Sequence, residues 1–198
     1  MIKPEIIFKQ IDKTALDPDP FELAARLGLG CSCLGDAVEE LLPEVERAAE
    51  PKYSAVRLGA EYPSRGVTVI DGHVISSEGL YKCLDGAREV YLLAVTLGAS
   101  VDRYLYRLGV ISGSDRFVSD GIASALCERA ADIATEALSA EGSLTRRFSP
   151  GYGDLSLLHQ QWLLDELSAR ELLGITLTES GMMVPMKSIT AIIGIKNG

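Results

Sequence analysis

The sequence predicts one α+β domain over residues 1–198, in which long helices pack on a mainly antiparallel or mixed β-sheet. Glu89–Thr96 is almost wholly apolar after its first residue, which is typical of a central strand buried on both faces. Residues 67–75 contain two β-rich runs around an Asp-Gly turn and indicate a β-hairpin. Residues 115–140 carry apolar side chains at helical spacing and predict the longest helix. A mixture of helices and hairpin strands favours the α+β class.

The elements before the hairpin follow from local signals. Asp19 and Pro20 are typical of an N-cap and a first helical position, so a helix begins there and ends at the glycines that follow. Residues 36–50 form a second helical pattern, and Pro43 within it predicts a kink or two short helices. Residues 55–61 alternate loosely between apolar and polar side chains, which indicates a strand.

The elements after the hairpin are mainly helical. Ser77 is placed to cap a short helix that ends near residue 83, and a further helix runs to about Leu108. Residues 157–173 predict another helix, and the β-branched run 188–195 predicts a last strand. In the long helix we expect a buried stripe formed by Val118, Ile122, Leu126, Ile133 and Ala137.

The acidic composition restricts the functional classes that fit the chain. Its formal net charge is −9, whereas nucleic acids and anionic membrane surfaces attract lysine and arginine. No stretch reaches the roughly 18 apolar residues of a membrane span, and the N-terminus lacks the apolar core of a signal peptide. We therefore expect a cytoplasmic protein that binds neither nucleic acid nor membrane.

The cysteines leave two interpretations open. A reducing cytosol argues against disulfides among the four cysteines of the chain. Cys31 and Cys33 lie one residue apart, which is closer than the spacing usual in zinc sites, and no second pair accompanies them. They are either a functional thiol pair or two small residues in a glycine-rich turn.

The segment 147–154, with the sequence R-F-S-P-G-Y-G-D, does not have the pattern of core packing. Pro150 fixes its own φ and biases Ser149 toward an extended conformation, whereas Gly151 allows positive φ and close approach of another molecule. Arg147 offers a planar donor fork suited to a carboxylate or phosphate, and Tyr152 offers a flat face. The segment is either a ligand loop or an ordinary loop with a surface arginine.

Two later blocks favour the ligand loop. Residues 177–185 read L-T-E-S-G-M-M-V-P, and residues 187–190 read K-S-I-T. Together with 147–154, these blocks resemble the activation domain of cobalamin-dependent methionine synthase, a domain that binds S-adenosylmethionine. The resemblance covers about a quarter of the chain, over 147–194, and implies the fold of that domain in a short, free-standing form.

The resemblance implies roles for the residues of the loop. S-adenosylmethionine carries a carboxylate, an ammonium group, a sulfonium and an adenine. Arg147 is the candidate for the carboxylate, because a guanidinium binds such a group through two parallel hydrogen bonds. The backbone of Ser149 and Gly151 would lie at the adenine edge, with Pro150 presetting the chain. Tyr152 would pack beside the ligand or the corrin.

Acidic side chains are the candidates for the cationic part of the ligand. Glu128 and Asp132 lie four residues apart on one face of the long helix, where the family carries acidic residues near the ligand; a solvated face shared with Arg129 is the alternative. Glu179 would either orient the Arg147 loop or cap local N–H groups. We expect the other conspicuous side chains to be two core methionines and one lysine at the surface or a partner contact: Met182, Met183 and Lys187.

The hairpin contains a short motif that we do not interpret as a cobalt site. Asp71-Gly72-His73 is similar to the D-x-H-x-x-G loop of cobalamin-carrying domains, but Ser76 stands where the glycine is required. A tight turn explains Asp-Gly better. We therefore expect no metal site here, and cobalamin carried by a partner protein.

The function implied by the resemblance is reactivation of cobalamin-dependent methionine synthase in methionine biosynthesis. The chain would present S-adenosylmethionine to a cobalamin-binding subunit, where a flavodoxin or ferredoxin supplies the electron for reductive methylation of cob(II)alamin. The alternative is a non-catalytic module that contacts a corrinoid protein and no longer binds S-adenosylmethionine. A doubly wound methyltransferase is disfavoured, because no early strand is followed by a glycine-rich loop.

Overall fold

A seven-stranded antiparallel sheet lies between two layers of helices in the computed structural model, which describes residues 4–18, 23, 27 and 36–196. The strands are β1 (Ile6–Gln10), β2 (Lys52–Ser64), β3 (Val67–Ile70), β4 (His73–Ser76), β5 (Glu89–Thr96), β6 (Ser143–Leu144), β7 (Thr176–Leu177), β8 (Met183–Val184) and β9 (Ser188–Lys196). The α-helices are α1 (Asp36–Ala48), α2 (Glu78–Leu84), α3 (Ala99–Ile111), α4 (Gly113–Leu138), α5 (Gln160–Glu166) and α6 (Ala169–Leu173). The predicted single α+β domain is confirmed.

The sheet has the order β4-β3-β2-β5-β9-β6, and β7 and β8 form a separate two-stranded sheet. The long strand β2 pairs with β1 through its first half and with β3 through its second half. Strand β5 pairs with β2 on one side and with β9 on the other, which confirms the predicted central strand. Strand β9 is paired by β6 only at its C-terminal end, from Ile195 to Lys196.

Alternate side chains of β5 enter two separate cores. Tyr91, Leu93 and Val95 pack with α1, α3 and α4, whereas the even-numbered residues from Val90 to Ala94 pack with α2, α5 and α6. Because successive side chains of a strand point to opposite faces, a wholly apolar strand requires cover on both sides. Two helical layers supply that cover.

The long helix α4 packs through small residues. Ile122 and Leu126 are fully buried as predicted, but Ala137 is exposed, so its place in the stripe is wrong. The buried positions of the C-terminal half run through Ala130, Ala134 and Leu138, spaced four residues apart. Alanines are short enough to let α4 approach α1, α3 and the sheet closely, so a search for large apolar residues identified only part of this surface.

Two helix predictions need correction. Residues 36–48 form one helix through Pro43, so the alternative of two short helices is wrong; Pro43 is exposed, which keeps its ring away from the packed face. Residues 157–173 are not one helix but a short 3-10 turn followed by α5 and α6, with Ser168 at φ 45° between them. That break brings buried residues of both short helices onto the same core.

Other predictions are confirmed or lie outside the described residues. The hairpin forms as predicted, and Ser77 Oγ accepts the Leu80 N–H at 3.0 Å to cap α2. The predicted helix over 20–27, apart from buried Leu23 and Leu27, and the Cys31-Cys33 pair are not among the described residues. Among the helices that the structure describes, none combines the length and apolar character needed to span a bilayer.

Candidate functional site

The loop that carries Arg147 runs along one edge of β9. Thr145 donates its N–H to the carbonyl of Gly194 (2.9 Å), and Phe148 and Ile192 exchange two backbone hydrogen bonds (3.0 and 2.8 Å). Phe148 is buried in the core shared with α2 and α5. Because neighbouring residues of an extended segment point to opposite faces, the Arg147 side chain is directed to α4.

The turn after this segment is held by its own backbone. Tyr152 donates its N–H to the Ser149 carbonyl (3.0 Å), and Gly151 donates its N–H to the Leu155 carbonyl (2.8 Å). Gly151 has φ +90°, and a Cβ atom there would lie 3.2 Å from Leu157 Cδ2. The Gly151 N–H that was expected at an adenine is therefore used within the turn. The requirement for glycine comes from positive φ and from Leu157.

Asp154, to which the sequence assigned no role, ties the loop to the start of α2. Its carboxylate accepts hydrogen bonds from Ser77 Oγ (2.5 Å), the Glu78 N–H (2.7 Å) and the Gly79 N–H (3.1 Å). The Ser77 hydroxyl, followed by these N–H groups, lowers the pKa of the Asp154 carboxyl below its usual value. A Cβ atom on Gly79 would lie 2.9 Å from both Asp154 Oδ1 and Phe148 Cζ. Gly79 inside the short helix α2 was the sequence signal that Asp154 and Phe148 approach the helix closely.

A cavity of about 720 Å³ lies between α4, the loop and the N-terminal half of β9. This volume is in the range of about 300–1,000 Å³ that is typical of small-molecule sites. The structure brings six of the predicted site residues to its walls: Glu128, Asp132, Arg147, Ser149, Pro150 and Tyr152. Residues 188–190 of β9 form a further wall, beyond the point where β6 pairs with that strand.

One wall of the cavity carries a cluster of three charges. Arg147 donates from Nη1 to Asp132 Oδ1 (2.6 Å) and from Nη2 to Glu128 Oε2 (3.0 Å), and Thr135 Oγ1 lies 3.4 Å from Nη1. The Arg147 side chain is 22% exposed. A guanidinium has five N–H groups, so these contacts leave donors for a further acceptor. With both acids ionised, the cluster has one net negative charge.

The floor of the cavity contains a buried amide that the sequence did not identify. Gln160, the first residue of α5, is 2% exposed and lines the cavity. Its Nε2 donates to Thr190 Oγ1 (2.7 Å) and lies 3.3 Å from Met183 Sδ. In sequence, Gln160 is one polar residue in a helical pattern, and only its contact with β9 distinguishes it.

The segment between β8 and β9 is anchored to α3 and α4. The Met186 N–H donates to Asp102 Oδ2 (2.8 Å), and Lys187 Nζ contacts Asp120 Oδ1 and Ser124 Oγ at 2.9 Å each. The Lys187 side chain is only 11% exposed, so the surface position expected for it is wrong, whereas a partner contact stays a prediction. A lysine is largely covered here because Asp120 compensates its charge.

Three further predictions differ from the structure. Met182 is 62% exposed at the cavity wall, so its core assignment is wrong, whereas Met183 is half-buried and packs against the core that contains α2, α5 and α6. Glu179 is exposed and is not a lining residue of the cavity, like Gly151. Capping was one of the two roles expected for Glu179, and here Thr178 performs it, because Thr178 Oγ1 accepts the Met182 N–H at 3.1 Å.

A pair of histidines joins the hairpin to the segment before α5. His73 Nε2 lies 2.9 Å from His159 Nδ1, and the His73 ring stacks on Trp162 with centroids 4.0 Å apart. Burial lowers the pKa of both histidines, and the neighbouring imidazole lowers that of His73 further. No group of three or more metal-ligating side chains occurs in the residues that the structure describes.

Comparison with solved structures finds a similar fold. A crystal structure of the MetH reactivation domain bound to AdoHcy is similar to the chain, with a TM-score of 0.74 and 14% sequence identity. The similarity covers 98% of this chain and 79% of that one. The chain has the fold of that reactivation domain. No protein-family model matches it, and no curated protein sequence matches it at a significant level. The fold is therefore shared although most of the residues differ.

Proposed function

We propose that this protein binds S-adenosylmethionine in the cavity and presents it to a cobalamin-carrying methionine synthase for reactivation. The observation that carries the proposal is the cluster of Arg147, Glu128 and Asp132 in a cavity of suitable size, on the fold of the MetH reactivation domain. That domain was solved with AdoHcy bound. The proposal transfers this ligand class to the present chain.

The charges of the cluster complement those of the ligand. At neutral pH, S-adenosylmethionine carries a carboxylate, an ammonium group and a sulfonium, and therefore one net positive charge. The cluster supplies one cation and two anions. The remaining donors of Arg147 suit the ligand carboxylate, whereas Glu128 and Asp132 suit its cations. S-adenosylhomocysteine has no sulfonium, so we expect it to bind more weakly.

The proposed reaction needs positioning and charge placement rather than an acid–base group. A flavodoxin or ferredoxin would reduce the partner's cob(II)alamin by one electron. The methyl group of S-adenosylmethionine would then be transferred to the reduced cobalamin, and S-adenosylhomocysteine would be the leaving group. The leaving group is a neutral thioether, so no proton has to be transferred. The contribution of this chain is to hold the methyl group in line with its acceptor.

The surroundings of the cavity support docking of a partner. Four large apolar side chains that line the cavity are exposed: Tyr152, Leu157, Met182 and Met186. Exposed apolar groups around a cavity are typical of interaction surfaces. Methionine side chains adapt to irregular shapes, which suits a macrocycle carried by another protein. We propose a cobalamin-binding methionine synthase subunit as this partner.

Calorimetric titration with S-adenosylmethionine tests the ligand, and a reconstitution assay tests the role. The assay mixes this protein, reduced flavodoxin, S-adenosylmethionine and a methionine synthase in its cob(II)alamin state from which the activation domain has been removed. We expect recovery of methylcobalamin absorbance only when this protein is present. Partner binding without S-adenosylmethionine binding would instead establish the non-catalytic interaction module.

A further inference from the structure

The amide of Gln160 has a defined orientation. Its nitrogen faces Thr190 Oγ1 at 2.7 Å and Met183 Sδ at 3.3 Å. A thioether sulfur has no proton and can only accept a hydrogen bond, so the amide atom beside it must be the NH₂ group. The carbonyl oxygen, Oε1, therefore points away from Met183.

Oε1 is available as an acceptor. Among the described residues, Nε2 forms hydrogen bonds but Oε1 forms none. Oε1 is also not one of the polar atoms that are both fully buried and without a partner, so it remains accessible. A residue that is 2% exposed and lines the cavity thus keeps one polar atom accessible. An amide oxygen that is neither bonded nor sealed is available to a molecule in the cavity.

The backbone of β9 beside Gln160 also presents polar groups to the cavity. Residues of β9 alternate between the two edges of the strand: Leu97 donates to the Lys187 carbonyl toward β5, whereas Ile192 and Gly194 bond on the opposite edge to the loop. Because the pattern has a period of two, the N–H and C=O of Thr190 face the same edge as those of Ile192. Strand β5 pairs with β9 at Thr190 through Ala94, but on the opposite edge no strand of the described chain pairs with Thr190, and that edge lines the cavity.

The two polar ends of the cavity lie on opposite faces of the sheet. Arg147 and its acids belong to the face covered by α4, whereas Gln160 belongs to the face covered by α5. Met183 lines the cavity beside the Gln160 amide, 3.3 Å from Nε2, and offers apolar surface to a flat ring. The acids already serve the cations of the ligand, so the Gln160 end suits its base.

We propose that Gln160 Oε1 accepts a hydrogen bond from the exocyclic 6-amino group of the adenine, whose edge lies along β9 at Thr190. The inference rests on the proposed function and names the residue that selects adenine over other purines. Hypoxanthine has a carbonyl oxygen in place of the amino group, and two acceptors facing each other repel. A site built to bind a donor rejects an analogue that lacks it.

The test uses S-adenosylhomocysteine and S-inosylhomocysteine as probes, titrated by calorimetry into the full chain. We expect the wild type to prefer the adenosyl compound by about tenfold or more, the scale of one hydrogen bond with an unmet acceptor in the alternative. Gln160→Leu should lose most of that preference through weaker adenosyl binding. Gln161→Leu is the matched control, because Gln161 is exposed and bonds only Asp165 among the described contacts.

Each outcome is decisive. If the wild type binds neither probe nor S-adenosylmethionine, the proposed function fails. If it binds both probes equally, or if Gln160→Leu keeps the preference, the proposed function stands and the assignment of Gln160 is overturned. An equal loss of both probes in Gln160→Leu would also overturn it, since Gln160 would then support the fold rather than read the base. Should Gln160→Leu fail to fold, Gln160→Met and the wild-type preference decide the same question.

Discussion

Removal of the Arg147 guanidinium is the sharpest test of the charged cluster. Arg147→Ala deletes the contacts to Asp132 and Glu128, and with them the donors proposed for the ligand carboxylate. Hydrogen bonds to charged groups contribute about 1.5–3 kcal/mol. A loss of ~2–3 kcal/mol corresponds to roughly 30–150-fold weaker binding of S-adenosylmethionine.

The long-range charge effect has the opposite sign and is smaller. Arg147→Ala changes the cluster from one net negative charge to two, which attracts a ligand of net positive charge. At about 8 Å and an effective dielectric near 40, two unit charges interact by about 1 kcal/mol. The lost hydrogen bonds therefore dominate. S-adenosylhomocysteine gains nothing from the extra charge, so its affinity should fall further than that of S-adenosylmethionine.

The fold should survive this change. Glu128 and Asp132 have side chains 33% and 45% exposed, and pairs of this kind contribute about 0–1 kcal/mol to stability. The assay pairs calorimetry for both ligands with a thermal midpoint measured without ligand. Arg129→Ala is the matched control, because Arg129 pairs with Glu136 at 3.3 Å and is not a lining residue.

A lysine at position 147 should restore only part of the affinity, since an ammonium group lacks the bidentate fork. Unchanged affinity for S-adenosylmethionine in a folded Arg147→Ala protein would refute the reasoning and remove Arg147 from the ligand site. A large drop in the thermal midpoint would instead show that the cluster mainly holds the loop on α4.

Three further predictions follow from the geometry of the loop and the histidine pair. Gly151→Val should lower both the thermal midpoint and ligand affinity, because φ +90° and the neighbouring Leu157 exclude a β-branched side chain; normal values of both would contradict this. Asp154→Ala should lower the thermal midpoint and weaken ligand binding by releasing the loop from α2, and an unaltered midpoint would argue against that anchor. The histidines have pKa values lowered from 6.5 by burial, so the folded state resists their protonation. The free energy of unfolding should be fully present above pH 6.5 and should fall as the pH drops through 6.5 toward the lowered values. Urea titrations from about pH 8 to about pH 5 should show a shallower decline for His73→Phe than for the wild type, and equal slopes would refute the assignment.

The elements that the sequence predicted are those whose pattern is long enough to have a period. Strand β5 and the hairpin were predicted because a buried run and an Asp-Gly turn are local signals. Strands β6, β7 and β8 have two residues each, so no alternation exists to detect, and they form only because β9 and the neighbouring turn supply their partners. The break at Ser168 was missed because a residue with positive φ is usually glycine.

The candidate site was predicted where its residues are adjacent in sequence. Arg147 and the turn that follows it lie in one block, and Glu128 and Asp132 share one helix face, but their pairing across the loop is a tertiary contact. The low exposure of Lys187 could not be predicted, because it depends on Asp120, which lies on another element. The role of Gln160 was hidden for the same reason, since only β9 makes it distinctive.

The position of the cavity follows from an interruption in the sheet. Strand β6 covers two residues of β9, and the next contact on that edge in the described chain is the bridge at Phe148, so the edge at Thr190 faces the cavity. Because α4 and α5 belong to different cores, the proposed ligand at this edge would contact both helical layers at once. In the proposed site, charge selection at one end and base selection at the other would then be properties of separate layers. Variants of Arg147 and Gln160 should therefore weaken contacts to different parts of the same ligand: its carboxylate in the first case and its base in the second.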